Sequence, residues 1–313
     1  MLFNTTFSTY LYPKIHYTQK LKAVNSSASD KSTTLKDVPF HSQIQKKVKD
    51  PLNCNNKLCF CCSRRSFMAA VGAASLLPIH PSHASDYTDP MAMLNRLHPP
   101  RPDWYEEFFA AAMNTSMKSY ESEIEGYKSE LFANLKGQAK QILEIGIGTG
   151  PNLKYYASEA GTSVYGIDPN RKMEKYAQAA AETAGLPPAN FKFLHAVSES
   201  LPLRDASVDA VIGTLVLCSV ADVNLTLQEI RRVLKPGGLY LFVEHVAAAD
   251  GTILRFVQGL LDPLQQTVAD GCHLTRKIGK DISKAGFSNV DSHQAVLSAA
   301  SLINPHIIGL ARN

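Results

Sequence analysis

Apolar and polar positions change rhythm along the chain. From residue 103, apolar and aromatic side chains recur at helical spacing (Trp104, Tyr105, Phe108, Phe109, Met113, Met117, Tyr120), with Asp103 placed to cap and Glu106 and Glu107 in the first turn. This is a lid or packing helix, its aromatics read as core. After Gly137 the texture becomes short apolar runs separated by helical stretches. The runs predict strands over 141–146, 163–167, 191–196, 208–215 and 239–246, and the stretches between them helices over 151–159, 170–184 and 223–234. Regular alternation of strand and helix implies right-handed crossovers, and hence an α/β fold with a mostly parallel sheet covered by helices on both faces. The end differs. Runs at 290–297 and 306–311 have no long helix between them, which predicts an antiparallel hairpin at the sheet edge.

Composition is that of a globular chain, with 45% hydrophobic and 19% charged residues. The net charge of +4 conceals a split: residues 1–84 carry 11 Lys and Arg against three Asp and no Glu, leaving 21 basic and 25 acidic residues from Ser85 onward. A nucleic-acid partner would require the positive charge on the folded part, so that class is set aside.

The first forty residues combine Ser and Thr with scattered Lys and almost no acid, the composition of an organellar transit segment. Arg64-Arg65, the apolar run 68–77 and Ser82-His83-Ala84 follow, resembling a twin-arginine export signal. The expectation is a disordered presequence over 1–84, chloroplast import with a possible thylakoid destination, and a linker over 85–102, rich in Pro and His, ahead of a domain at 103–313. The run 68–77 is far short of the ~20 residues a membrane-spanning helix needs. Four of the six cysteines (Cys54, Cys59, Cys61, Cys62) precede the twin arginine without a companion His or Cys pair at zinc spacing, so no metal site is expected.

Leu143-Glu144-Ile145-Gly146-Ile147-Gly148-Thr149-Gly150 closes the first strand and opens toward a helix, where glycines let the backbone turn tightly and approach a ligand. The dinucleotide fingerprint would need a glycine where Pro151 stands, which disfavours a dehydrogenase. Asp168 ends the second strand 22 residues after Gly146, the distance at which a carboxylate accepts both ribose hydroxyls of a nucleoside laid across the strand ends. It is also placed to cap the helix that follows.

With Ser198-Glu199 after the third strand, Asp205-x-Ser207-Val208-Asp209 before the fourth and Pro236-Gly237-Gly238 before the fifth, this order of motifs resembles the class I methyltransferases, which have a Rossmann-like seven-stranded sheet and use S-adenosyl-L-methionine. The resemblance implies cofactor contacts from Glu144, Gly146, Gly148, Thr149, Gly150, Asp168, Pro169, Ser198, Glu199, Thr214 and Leu215, with Ser198 and Glu199 by the adenine. Over residues 141–313, Thr214-Leu215-Val216-Leu217-Cys218-Ser219-Val220, Glu244-His245-Val246, Asp270-Gly271-Cys272-His273-Leu274-Thr275-Arg276 and Asn304-Pro305-His306 are similar to the methyltransferase-like alkyl-thiol S-methyltransferases. That subgroup implies a small-molecule thiol acceptor. A methyltransferase acting on carbon or oxygen of a quinone or other lipophilic ring shares the same cofactor motifs and stays open. Animal members begin with a hydrophobic anchor where this chain has its expected presequence, so their membrane attachment does not carry over and peripheral membrane contact stays open.

Methyl transfer is an in-line displacement from an activated carbon, needing alignment more than a strong base. The substrate-side candidates are Cys218 and Ser219 just past the fourth strand, His245 at the end of the fifth, and Cys272 and His273 in the segment after it.

Overall fold

The computed structural model describes residues 89–313. The expected presequence over 1–84, with its paired arginines and four cysteines, lies outside the described residues.

Chain order begins with three helices, α1 (Pro90–Leu97), α2 (Asp103–Ser116) and α3 (Lys118–Phe132). The sheet segment follows: β1 (Gln141–Ile145), β2 (Ser163–Asp168), α4 (Glu174–Thr183), β3 (Phe191–His195), β4 (Val208–Thr214), α5 (Val223–Val233) and β5 (Leu234–His245). The chain closes with α6 (Ile253–Val268), α7 (Ile278–Lys284), β6 (Asn289–Ala295) and β7 (His306–Arg312).

The seven strands lie in the order β3-β2-β1-β4-β5-β7-β6. Pairings from β3 to β5 are parallel, and β7 runs antiparallel to both β5 and β6, so the expected hairpin is present with β7 inserted beside β5. Successive side chains on a strand point to opposite faces. Ile142, Ile212 and Leu241 therefore join one core cluster, while Leu143, Val211 and Tyr240 join the other. Helix α5 shows how a crossover is held: Asp222 accepts from Leu225 N at 3.0 Å, and Leu227, Ile230 and Val233 are buried at helical spacing. Each such burial contributes roughly 1.5–3 kcal/mol. The turn at Pro236-Gly237-Gly238 takes the form of a bulge early in β5, where register jumps from Val208↔Leu234 to Ala210↔Leu239. Strand order reverses between β1 and β4, and in open α/β sheets ligands bind at the carboxyl ends of the strands flanking such a point.

Several local expectations need correction. The stretch 85–102 is not only a linker: α1 forms within it, capped by Asp89, which accepts from Met91 N at 2.9 Å, and it buries Met93 and Leu94. Proline in the first helical turn costs no hydrogen bond, so Pro90 starts the helix. Asp103 is the first residue of α2 and not its cap, since Pro102 occupies the cap position without a side-chain bond. Trp104 and Phe108 are 71% and 66% exposed, so they are not core; Ala110 is the buried residue of α2. The helical spacing that ran through Tyr120 breaks at Met117 into two helices. Residues 151–159 form a 3-10 turn at Leu153–Tyr155 in place of an α-helix. Asn152 and Tyr156 are tied to Glu144, and Gly161 turns the chain back toward β2, leaving too few residues to propagate an α-helix.

Candidate active site

The loop after β1 is shaped by glycines. Gly146 has φ +55°, and a Cβ there would lie 2.4 Å from Val216 Cγ2; at Gly150, φ +77°, it would lie 2.8 Å from Leu153 Cδ1. Any side chain would break the turn or push it away from the sheet. Glu144 sits beneath this loop, fully buried. Its carboxylate accepts from Asn152 Nδ2 at 2.7 Å and from the Tyr156 hydroxyl, and Asn152 Nδ2 reaches Thr214 Oγ1 at 2.9 Å. Burial pushes the Glu144 carboxyl up to about 7. Glu144 does not line the cavity; it is the post that fixes the glycine loop against β4.

Asp168 ends β2 with Oδ2 accepting from Gly148 N at 3.0 Å and Oδ1 from Asn170 N at 2.9 Å. Each oxygen thus retains an unused acceptor direction. Burial raises its carboxyl to about 6 against the lowering effect of those two amides. The following turn is capped by Asn170, which accepts from Lys172 N at 2.8 Å, so Asp168 is not the cap. Further round the wall, Glu199 Oε1 accepts from Ala221 N at 2.7 Å and Asp222 N at 3.2 Å, which ties the segment after β3 to the start of α5.

The loop after β4 is held from β5. Val216 N and Leu217 N both donate to Glu244 Oε1 at 3.0 Å, and Leu215 is bent to φ +57°. A non-glycine residue in this region is strained and persists only where its surroundings impose it. Burial pushes Glu244 up to about 7, and its Oε2 has no partner. Nothing in the spacing of the motifs marked Glu244 as the anchor of this loop.

Beyond Glu244, His245 Nε2 lies 3.0 Å from Cys272 Sγ, with Gln265 Nε2 at 3.7 Å from the same sulfur. Cys218 donates to Leu215 O at 3.3 Å and lies 3.5 Å from Ser219 Oγ. The Cys218 thiol and His245 hold Cys272 well below the usual thiol range, while Cys218 is pushed up by Cys272 and by burial. His306, the partner of His245 across the β5–β7 pair, is wholly buried with neither ring nitrogen hydrogen-bonded. His273 is placed elsewhere. Its backbone N donates to Cys218 O at 2.9 Å, its ring lies 3.6 Å from Asp262 and it does not line the cavity.

These walls enclose a cavity of about 970 Å³ that runs from Asp168 to Cys272. Small-molecule sites span about 300–1,000 Å³, so there is room for a nucleoside and an acceptor together. Ten of the eleven expected cofactor residues line it, Glu144 being the exception, as do Cys218, Ser219, His245 and Cys272. The roof was not foreseen in detail: Phe108, Phe109, Met113 and Met117 from α2 and its junction with α3, and Tyr120 from α3, face the cavity. The roof is pinned at two points. Asn170 Nδ2 donates to Glu106 O at 3.0 Å, and Asp270 meets His98 at 3.3 Å and Arg101 at 2.7 Å. The hydrogen bond to Asp270 holds the His98 imidazole above its ordinary range, against the lowering effect of burial.

The geometry suits S-adenosyl-L-methionine. A buried carboxylate with spare acceptor capacity faces the cavity from β2, and the glycine loop brings backbone close to the same space. Comparison with known proteins agrees. Residues 143–242 match the family described as Methyltransferase domain. The chain is 40% identical over 212 residues to the thiol S-methyltransferase TMT1B of Rattus norvegicus, covering 65% of this chain and 85% of that protein. It is 42% identical over 202 residues to the thiol S-methyltransferase TMT1A of Homo sapiens, covering 61% and 80% respectively. Among solved structures, that of an O-methyltransferase, so described provisionally, from Nostoc punctiforme is similar with a TM-score of 0.50 at 14% identity, over 66% of this chain and 60% of that one. That likeness shows the fold alone.

Proposed function

The chain belongs to the S-adenosylmethionine-dependent methyltransferase family that includes the mammalian thiol S-methyltransferases, and from that premise we propose that it methylates the sulfur of a lipophilic small-molecule thiol. The observation that carries this reading is the asymmetry of the cavity: a hydroxyl-accepting carboxylate, Asp168, at one end, and the sulfur- and imidazole-bearing wall of Cys218, His245 and Cys272 at the other, under an apolar roof.

When bound, S-adenosylmethionine supplies a methyl carbon already activated by its sulfonium. The chain's own task is therefore placement. Asp168 and the Gly146–Gly150 loop fix the nucleoside, Glu244 fixes the β4 loop that separates it from the acceptor, and Phe108, Phe109 and Met113 exclude water above it. Alignment of nucleophile and methyl near 3 Å supplies most of what such a displacement requires. His245 stands on the acceptor side of the cavity, its Nε2 3.0 Å from Cys272 Sγ. A transfer assay with thiol and quinol acceptors tests the reading.

Two further features support where this chemistry takes place. Helix α6 has its polar side turned inward: Gln258 is buried, accepts from Ala248 N at 2.8 Å and donates to Asn304 O at 2.7 Å, and Asp262 accepts from Leu274 N at 2.6 Å. Ile253, Phe256, Leu260, Leu264 and Val268 face outward at spacings of three and four, 59% to 84% exposed, and Val268 reaches the cavity rim. An exposed apolar face of this extent marks an interaction site. Its continuity with the apolar cavity supports peripheral contact with a lipid surface from which an apolar thiol is drawn. Among the described residues no helix is long and apolar enough to cross a membrane. The acid-poor leader and Arg64-Arg65 support delivery to a plastid.

A further inference from the structure

Cys218, His245 and Cys272 come from three separate segments: the loop after β4, the end of β5 and the loop after α6. Their ligand-capable atoms all lie within 4.8 Å of one another, and all three residues are buried on the cavity wall. Two sulfurs and an imidazole form a soft donor set without a carboxylate, the kind that selects zinc over magnesium or calcium. Catalytic zinc is held by three protein ligands with the fourth position left open. Here the three donors share one wall, so the remaining direction is the cavity itself. A second observation points the same way. His245 Nδ1, on the ring that reaches Cys272 Sγ, and both nitrogens of its cross-strand neighbour His306 are buried without hydrogen-bond partners, although buried polar groups are normally paired. Of the two rings only that of His245 belongs to the cavity wall, so a donor-set residue there carries a buried nitrogen the protein itself leaves unpaired.

We propose that Cys218, His245 and Cys272 form a zinc site whose open position binds the sulfur of the acceptor as a thiolate. This rests on the thiol reading above and deepens it. On binding, the thiol gives its proton to solvent, because a metal-coordinated thiol is deprotonated outright. A lone pair of the bound sulfur then forms the new S–CH₃ bond. The bond between the methyl carbon and the sulfonium sulfur breaks, and its electron pair stays on the departing sulfur. The product is a neutral thioether, a poorer zinc ligand than the thiolate, and it vacates the open position.

The test uses the full chain, equilibrated with zinc chloride and dialysed, or reconstituted with cobalt(II) chloride. The wild type is expected to retain about one zinc per chain, and the cobalt form to show sulfur-to-metal charge-transfer absorption that shifts when butanethiol is added. Cys218→Ser and Cys272→Ser should lose both signals while binding S-adenosylmethionine within about twofold of wild type, which shows they are folded. His273→Ala, which faces away, should keep both signals. A wild type with no retained zinc and no charge-transfer band overturns the site, as does a Cys218–Cys272 disulfide in the freshly isolated protein. Full thiol methylation by a chelator-treated, zinc-free chain overturns the metal's role while leaving the methyltransferase reading intact. A butanethiol-responsive cobalt site with no methyl transfer to thiols upholds thiol binding at the metal and removes the proposed reaction.

Discussion

Asp168 Oδ2 and the Gly148 backbone N–H are joined at 3.0 Å, so the carboxylate at the end of β2 fixes the loop that ends β1 as well as facing the cavity. Asp168→Ala should weaken S-adenosylmethionine binding by about 1–3 kcal/mol, the cost of leaving buried donors unpaired. Calorimetric titration checks it. The pH dependence follows from the raised carboxyl. The ionised form accepts the hydroxyls, so affinity is full above a pKa of about 6 and falls as pH drops through it. Between pH 7 and pH 5 the loss should be about tenfold, and Asp168→Asn should abolish that dependence.

His245 and His273 are separated by the structure where the sequence grouped them. His245→Ala should lower thiol turnover by about tenfold or more with cofactor affinity nearly unchanged. His273→Ala should leave turnover close to wild type, because its ring lies against Asp262 outside the cavity. Steady-state kinetics and calorimetry on the same preparations separate the two effects.

The outward face of α6 should mediate contact with lipid. Phe256→Asp combined with Leu260→Asp is expected to reduce cosedimentation with phosphatidylcholine vesicles several-fold, while turnover on a water-soluble thiol stays near wild type. Unchanged vesicle binding would remove this helix as the contact.

Much of the fold was legible because it is written locally. Short apolar runs separated by helical spacing gave the strands within one or two residues except at the start of β5, which begins at Leu234, five residues before the expected 239, because pairing continues through the Pro236-Gly237-Gly238 bulge; Gly146 and Asp168 bracket β2 at a spacing set by one crossover. Errors arose where a side chain's direction decides. Glu144 reads as a ligand contact from its place before the glycines, yet it points beneath the loop to Asn152 and Tyr156. Trp104 and Phe108 follow a core-like spacing, yet the face they occupy meets solvent and the cavity mouth. The convergence of Cys218, His245 and Cys272 has no sequence signature, because it exists only once β4 lies beside β5 and α6 returns Cys272 to their ends.

The leader carries its own expectation. The protein isolated from plastids should begin near Ser85, the residue after Ser82-His83-Ala84. Terminal sequencing that finds Met1 intact would exclude import processing, and a start well before Arg64 would leave only the transit step.

Transfer of a methyl group to sulfur is the central claim, and identifying the methylated product measures it most directly. The purified chain is incubated with methyl-labelled S-adenosylmethionine and, in parallel, with an alkanethiol and a quinol of matched hydrophobicity, and products are assigned by mass spectrometry. The account predicts label in an S-methyl thioether, formed in equal amount to S-adenosylhomocysteine. Label confined to carbon or oxygen of the quinol, with none on the thiol, would contradict it.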